Sequence, residues 1–145
     1  MEKRINIAVT EPEAYKAMLG LEKFLSQTGL GKQLKELIKI RASQINGCAY
    51  CLNMHTRDAR KLGETEQRIY MLSAWKEVDG IYSEEERTVL ALTEEVTLIS
   101  QGVSDETYNK AAQLFGEKAL AQIIMAIVTI NAWNRIAIST RLQPE

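Results

Sequence analysis

Proline is scarce, with two residues in 145, and the sequence carries two cysteines and a single histidine. So few prolines argue against long irregular loops. The cysteines, Cys48 and Cys51, stand so close that a bridge between them closes a tiny loop and removes little chain entropy, which excludes a structural staple. Charge of neither sign dominates: 18 Lys and Arg oppose 19 Asp and Glu, for a net −1. No block of about five like charges forms a nucleic-acid footprint or a membrane stripe. Long apolar runs are missing too. The longest, Ile123 to Val128, falls far short of the roughly 20 residues of a transmembrane helix, so neither a membrane nor a nucleic acid is expected as a partner. The opening residues Met1 to Asn6 mix charges and hold no apolar core of signal-peptide length. A cytoplasmic location is the expectation, and in that reducing compartment a cysteine pair is more often catalytic, redox-sensing or metal-binding than structural.

What is present fits an ordinary globular protein. The chain is 46% hydrophobic and 26% charged, proportions that exclude disordered and collagen-like classes. Its length suits one domain spanning residues 1–145, able to bury a core without disulfide or metal support.

No segment alternates with period two for long enough to make a strand, and capping signals recur, so the fold class is all-α with about six to seven helices. Thr10-Glu11-Pro12-Glu13 reads as a capping box opening a helix to about Gln27, with Gly29 and Gly31 breaking it. The spacing predicts further helices over Lys32 to Gln44, Cys48 to Leu62 closed by Gly63, and Glu64 to Glu77. Ser83-Glu84-Glu85-Glu86 is a second capping box, starting a helix that ends near Gly102. Ser104 caps a short helix reaching Phe115, and a last helix runs from about Glu117 to Arg141. That last helix carries apolar residues on nearly every side, the pattern of a helix buried all round. Its coverage is generous enough that a second face should meet another subunit, so a homo-oligomer is expected.

The chemistry gathers in Cys48-Ala49-Tyr50-Cys51-Leu52-Asn53-Met54-His55. At 100° per residue Cys48, Cys51 and His55 fall within about 60° of one direction. Cys51 and His55 are an i, i+4 pair, so the imidazole can accept the thiol proton or stabilise the thiolate. Cysteines at i and i+3 have Cα atoms about 5 Å apart, inside the range of a disulfide, so the pair can be oxidised with modest movement. A helix start also favours a thiolate, most of all on the first cysteine. The dipole therefore favours Cys48 as nucleophile, and the histidine favours Cys51. Two other readings stand beside these. Either cysteine can be a small buried hydrophobe. Zinc is the sharper rival, with Cys48, Cys51 and His55 as ligands and Glu36 as a fourth, although structural zinc sites usually join separate segments rather than eight residues of one helix. Glu36 projects about 100° from Leu37, at the edge of the stripe Leu34, Leu37, Ile38 and Ile45, and periodicity leaves it solvated.

The stretch from Glu36 to Thr56, a glutamate followed after eleven residues by Cys-x2-Cys-x3-His, resembles the core motif of AhpD-like proteins in the carboxymuconolactone decarboxylase family. Gly63 to Arg68, Leu72 to Trp75 and Ile130 to Arg135 are also similar to that family. The resemblance implies an all-α homo-oligomer, a trimer or hexamer, with thiol peroxidase activity that needs no cofactor or metal. It implies Cys51 as the peroxidatic thiol, Cys48 as the resolving one, and His55 with Glu36 as a proton relay. The substrate would be an organic hydroperoxide or hydrogen peroxide. The disulfide would be reduced by an external dithiol, thioredoxin-like or dihydrolipoyl. Characterised AhpD proteins have a second histidine between the cysteines, where this chain has Tyr50, an accessory group: a phenol can donate a hydrogen bond but does not accept and release protons near neutrality as imidazole does. The same cysteines could instead serve dithiol–disulfide exchange or a non-catalytic redox-sensing module.

Overall fold

The computed structural model describes residues 1–145 and contains helices and connecting segments with no strand. The elements are α1 (Ile7–Thr10), α2 (Pro12–Ser26), α3 (Lys32–Asn46), α4 (Ala49–Lys61), α5 (Glu66–Met71), α6 (Glu84–Thr97) and α7 (Asp105–Thr140). Several starts are set where local chemistry placed them. The Ser83 side chain accepts from the Glu86 N–H, and that of Ser104 from the Thr107 N–H.

The first boundary differs from expectation. Thr10 does not open a capping box. It ends α1, whose own cap is the Asn6 side chain accepting from the Ala8 N–H. Pro12 is the reason: it has no N–H to satisfy and its φ suits the first helical position, so it starts α2. The residue before a proline is also driven out of the helical region, and Glu11 sits at φ −138°, ψ 72°.

Two expected helices shorten. The one begun near Glu64 keeps α geometry only over α5 and tightens into a 3-10 segment from Leu72 to Glu77, with Ala74 at φ −117°, ψ 26°. The helix expected to end near Gly102 is α6, which stops at Thr97 and is followed by a 3-10 turn, Ile99–Gln101. The two C-terminal helices expected on either side of Gly116 are both present within α7, which breaks between them where Gly116 takes the non-helical φ 79°, ψ 166°. Nothing lies within 4 Å of where a Gly116 Cβ would stand, so the glycine serves backbone conformation and not close packing.

At the centre, α3 packs against α4, α6 and α7, and α6 against α7. Two apolar clusters meet on α3. Ile38 and Ala42 join Val89, Leu92, Ile123, Ile127 and Ile130 on one side. Leu37 and Ile40 join Leu72, Trp75 and Leu90 on the other. A helix covered on three sides has little surface left for water, and Glu36 is consequently buried.

Within the single chain the last helix is not covered on every side, since Val128 is 42% and Ile138 45% exposed, and this is the kind of outer face that was expected to meet another subunit. By length and composition alone α7 also passes for a membrane-crossing helix, which the short uninterrupted apolar run had argued against. Its Gly116 break and its inner face against α3 and α6 are the features of a core helix.

Candidate active site

The corner between α3 and α4 is built by Gly47, whose φ of 71° and ψ of 36° reverse the chain in the left-handed region, where a Cβ is costly. The reversal lets the Cys48 N–H donate to the Ser43 carbonyl at 3.0 Å. A polar network ties this corner to α7. Asn46 Nδ2 donates to Asn131 Oδ1 and to Asn134 Oδ1, both at 2.9 Å, and Asn134 Nδ2 donates to Ser43 Oγ at 3.0 Å. Buried amides are costly when unpaired and rigidify a site when paired.

Cys48 is the N-cap of α4, one residue outside the helix that it was expected to begin. Its Sγ accepts the Cys51 N–H at 3.3 Å. Cys48 and Cys51 are joined as a disulfide with Cα atoms 5.4 Å apart, and both residues are buried, at 1% and 3% exposure. One turn further on, His55 Nδ1 lies 3.0 Å from Glu36 Oε2. The second Glu36 oxygen accepts from Lys39 Nζ at 3.3 Å. Burial pushes the Glu36 carboxyl upward and is the largest single influence on it. The hydrogen bonds and charges of His55 and Lys39 together outweigh burial, so Glu36 is held below its ordinary value and is ionised. An ionised carboxylate can only accept, so the proton in this contact sits on His55 Nδ1, and Nε2 is left free to take or give another.

The structure therefore pairs Cys48 with Cys51 and His55 with Glu36, puts Cys51 and His55 on the wall of one cavity, and overturns the solvated placement that periodicity assigned to Glu36. Two neighbours were not singled out from the sequence. Lys39 lies one turn from Glu36, and Asp58 has a carboxylate oxygen within 4.8 Å of the ligand-type atoms of Glu36 and His55. A usable signal for Asp58 existed: it stands at i+3 from His55 and i+7 from Cys51, on the same helix face. Glu36, His55 and Asp58 could together reach one metal ion, but Lys39 and the Glu36–His55 contact already engage both Glu36 oxygens. The four-ligand set with both cysteines is engaged as well, because the two sulfurs are bonded to each other.

A cavity of about 350 Å³ opens against this cluster. Cys51, His55, Tyr50, Lys39 and Asp58 line it, together with residues of α1, α2, α7 and the C-terminal segment, whereas Cys48 does not. The two cysteines are thus inequivalent: Cys51 is on the cavity wall and Cys48 is not.

The carboxymuconolactone decarboxylase family model matches residues 12–95. The chain is 47% identical over 140 residues to the uncharacterized protein YdfG of Bacillus subtilis (strain 168), covering 96% of this chain and 95% of that one. A crystal structure of a protein of unknown function from Agrobacterium tumefaciens, named as a candidate antioxidant defence protein AhpD, superposes with a TM-score of 0.94 at 40% identity over 99% of both chains. The debrominase Bmp8, solved with 2,3,4-tribromopyrrole, has the same fold at a TM-score of 0.82 and 22% identity, over 94% of this chain and 73% of its own. A matched motif, a near-complete superposition and a bonded Cys-x2-Cys pair that fits a redox role agree, and this chain belongs to the carboxymuconolactone decarboxylase family as an AhpD-like protein.

Proposed function

We propose that the chain is a thiol-dependent peroxidase in which Cys51 attacks the peroxide, Cys48 resolves the product, and His55 with Glu36 moves the proton. The observation that carries this reading is the inequivalence of the cysteines: Cys51 lines the cavity together with His55, whose Nδ1 is held by a buried carboxylate, and Cys48 does not line it. This supports the preference for Cys51 that the i, i+4 histidine gave, against the preference for Cys48 that the helix dipole gave.

In the reduced protein, His55 Nε2 takes the Cys51 proton. The thiolate attacks the terminal hydroxyl oxygen of the peroxide, an S–O bond forms as the O–O bond breaks, Cys51 becomes a sulfenic acid, and the displaced alkoxide receives the proton from imidazolium. Cys48 then condenses with the sulfenic acid, releasing water and forming the disulfide. Two electrons from an external dithiol, thioredoxin-like or dihydrolipoyl, return the pair to thiols. Glu36 balances the positive charge that His55 gains. Tyr50, on the cavity wall, is an accessory hydrogen-bond donor. The cycle needs no metal or cofactor, and a reducing cytoplasm suits it.

The deciding experiment is stoichiometric. Reduced protein is mixed with a limiting organic hydroperoxide, and thiols lost are counted against peroxide consumed. Two thiols lost per peroxide, faster than for free cysteine, is the expected result. Thiol loss no faster than that of free cysteine would sink the proposal.

A further inference from the structure

Side chains of the kind that ligate metals meet on one part of the cavity wall, and the set they form differs between the two redox states. Cys51, His55 and Asp58 all line the cavity and stand at i, i+4 and i+7 on one face of α4. An Asp58 oxygen lies within 4.8 Å of a His55 ring nitrogen. Two ligands on one zinc ion stand within about 4 Å of each other, so small side-chain rotations bring both onto the same ion.

The histidine is already oriented for such a role. Glu36 Oε2 accepts from His55 Nδ1 at 3.0 Å, the carboxylate–histidine pairing that fixes the tautomer of a metal-bound imidazole and leaves Nε2 as the ligand atom. Glu36 thus supports the ion from behind His55, and neither of its engaged oxygens is needed as a ligand. Thiolate and imidazole suit zinc, whereas magnesium and calcium take oxygen ligands. Three protein ligands and one water complete a four-coordinate zinc ion, and the cavity of about 350 Å³ has room for that water. Such an open site differs from the closed structural set of both cysteines, His55 and Glu36, because Cys48 takes no part in it.

Oxidation state decides both the ligand count and the charge. With Cys48 and Cys51 bonded to each other, Cys51 offers no thiolate. The carboxylates of Glu36 and Asp58 then face Lys39, whose Nζ lies 3.3 Å from Glu36 Oε1 and which also lines the cavity. One net negative charge is left. Reduction frees Cys51, and its thiolate supplies both the missing soft ligand and a second negative charge, which balances a dication.

We propose that the reduced protein binds one zinc ion through Cys51 Sγ, His55 Nε2 and the Asp58 carboxylate, that the disulfide form does not, and that the bound ion blocks attack on peroxide. Binding exchanges the Cys51 S–H bond for an S–Zn bond and releases that proton to solvent, and no electrons move. The block rests on the peroxidase reading, since the ion occupies the thiolate and the imidazole nitrogen that the reaction uses. Binding itself rests on the geometry alone.

The test uses the full chain without a polyhistidine tag, kept free of oxygen and reduced with a phosphine. Co²⁺ is the first probe, because thiolate ligation gives it a charge-transfer absorption, and Zn²⁺ affinity is read by competition with a chromogenic chelator. Losing an outer partner of a metal site costs about 10–100-fold in affinity. Reduced wild type should therefore bind one Zn²⁺ per chain at least about a hundredfold more tightly than the disulfide form, which lacks a ligand. Cys48→Ser should keep the cobalt absorption, and Cys51→Ser should lose it. Asp58→Asn is nearly isosteric and should weaken Zn²⁺ at least about tenfold, with far-UV circular dichroism as its folding control. Equal affinity in the two redox states, an absorption that follows Cys48 instead of Cys51, or an Asp58→Asn affinity equal to wild type overturns the site. Saturating Zn²⁺ should also stop thiol loss to tert-butyl hydroperoxide, and a chelator should restore it. If peroxide reacts as fast with the zinc-saturated as with the metal-free protein, the block alone falls. If metal-free protein does not outpace free cysteine, the peroxidase reading falls and the block with it, while the binding measurements still decide the site.

Discussion

Glu36 Oε2 and His55 Nδ1 meet 3.0 Å apart across the contact between α3 and α4, although nineteen positions separate them in the chain. The carboxylate keeps its charge despite burial because His55 and Lys39 share it. Glu36→Gln keeps the shape and helix propensity but removes the negative charge that stabilises imidazolium. Positioned acid–base groups contribute about 10²–10⁴-fold, so the variant should slow peroxide attack at least roughly tenfold and move the pH at which Cys51 ionises. Thiolate absorbance against pH and single-turnover rates check this, with far-UV circular dichroism as the folding control. An unchanged rate and titration would reduce Glu36 to a packing residue.

The inequivalent cysteines predict inequivalent variants. Cys51→Ser should abolish peroxide consumption. Cys48→Ser should still complete one turnover and leave Cys51 as a sulfenic acid or a mixed disulfide, visible by mass spectrometry after trapping. A Cys48→Ser protein dead in the first turnover, beside an active Cys51→Ser, would reverse the assignment and restore the dipole argument.

Acid should destabilise the fold through two carboxylates. Glu94 accepts from Arg41 Nη2 at 2.8 Å, Lys76 Nζ at 3.1 Å and Trp75 Nε1 at 3.1 Å. Burial raises its pKa, but the three donors outweigh that, so Glu94, like Glu36, is held below the ordinary value of 4.5. A depressed folded-state pKa means that the unfolded chain binds more protons in this window. The stabilisation is then complete above about pH 4.5 and is lost as pH falls through the lower folded-state values. Urea midpoints measured from about pH 7 to pH 3 should drop below pH 4.5, and Glu94→Gln should flatten part of that drop while lowering stability at neutrality. A wild-type midpoint constant across the range would refute it.

Gly47 stands at φ 71° with nothing within 4 Å of its missing Cβ. Gly47→Ala should therefore cost only the left-handed backbone penalty, about 1–2 kcal/mol, with no clash added. Chemical denaturation measures that cost. A neutral or stabilising alanine would mean that the corner can leave the left-handed region without loss.

Apolar side chains remain on the outer face of α6 and α7, where Ile99, Tyr108 and Val128 are exposed around a groove that Leu92 and Ile124 also line. A homo-oligomer, trimer or hexamer, would cover that face. Light scattering should give a mass several times 16.4 kDa, and Val128→Glu should lower it. A monomer mass across dilutions would end the idea.

What the sequence determined by itself was local. The i, i+4 and i+7 spacings put Cys51, His55 and Asp58 on one face of α4, whatever packs there, because the helical period requires it. Ser83 and Ser104 start helices because a hydroxyl there satisfies an N–H that the helix leaves free. Even the misplaced first boundary was locally decidable, since Pro12 overrides the Thr10 pattern through its fixed φ and missing N–H.

Glu36 was different. Its place at the edge of an apolar stripe says nothing about how many helices cover α3, and only the convergence of α4, α6 and α7 buries it and brings His55 to its oxygen. The difference in surroundings between Cys48 and Cys51 was also tertiary. Cys48 and Cys51 sit on one turn of chain, and the cavity reaches only Cys51 because α1 and the end of α7, from opposite ends of the sequence, build its walls. Periodicity describes a helix against an unspecified surface, and the identity of that surface is set by long-range packing.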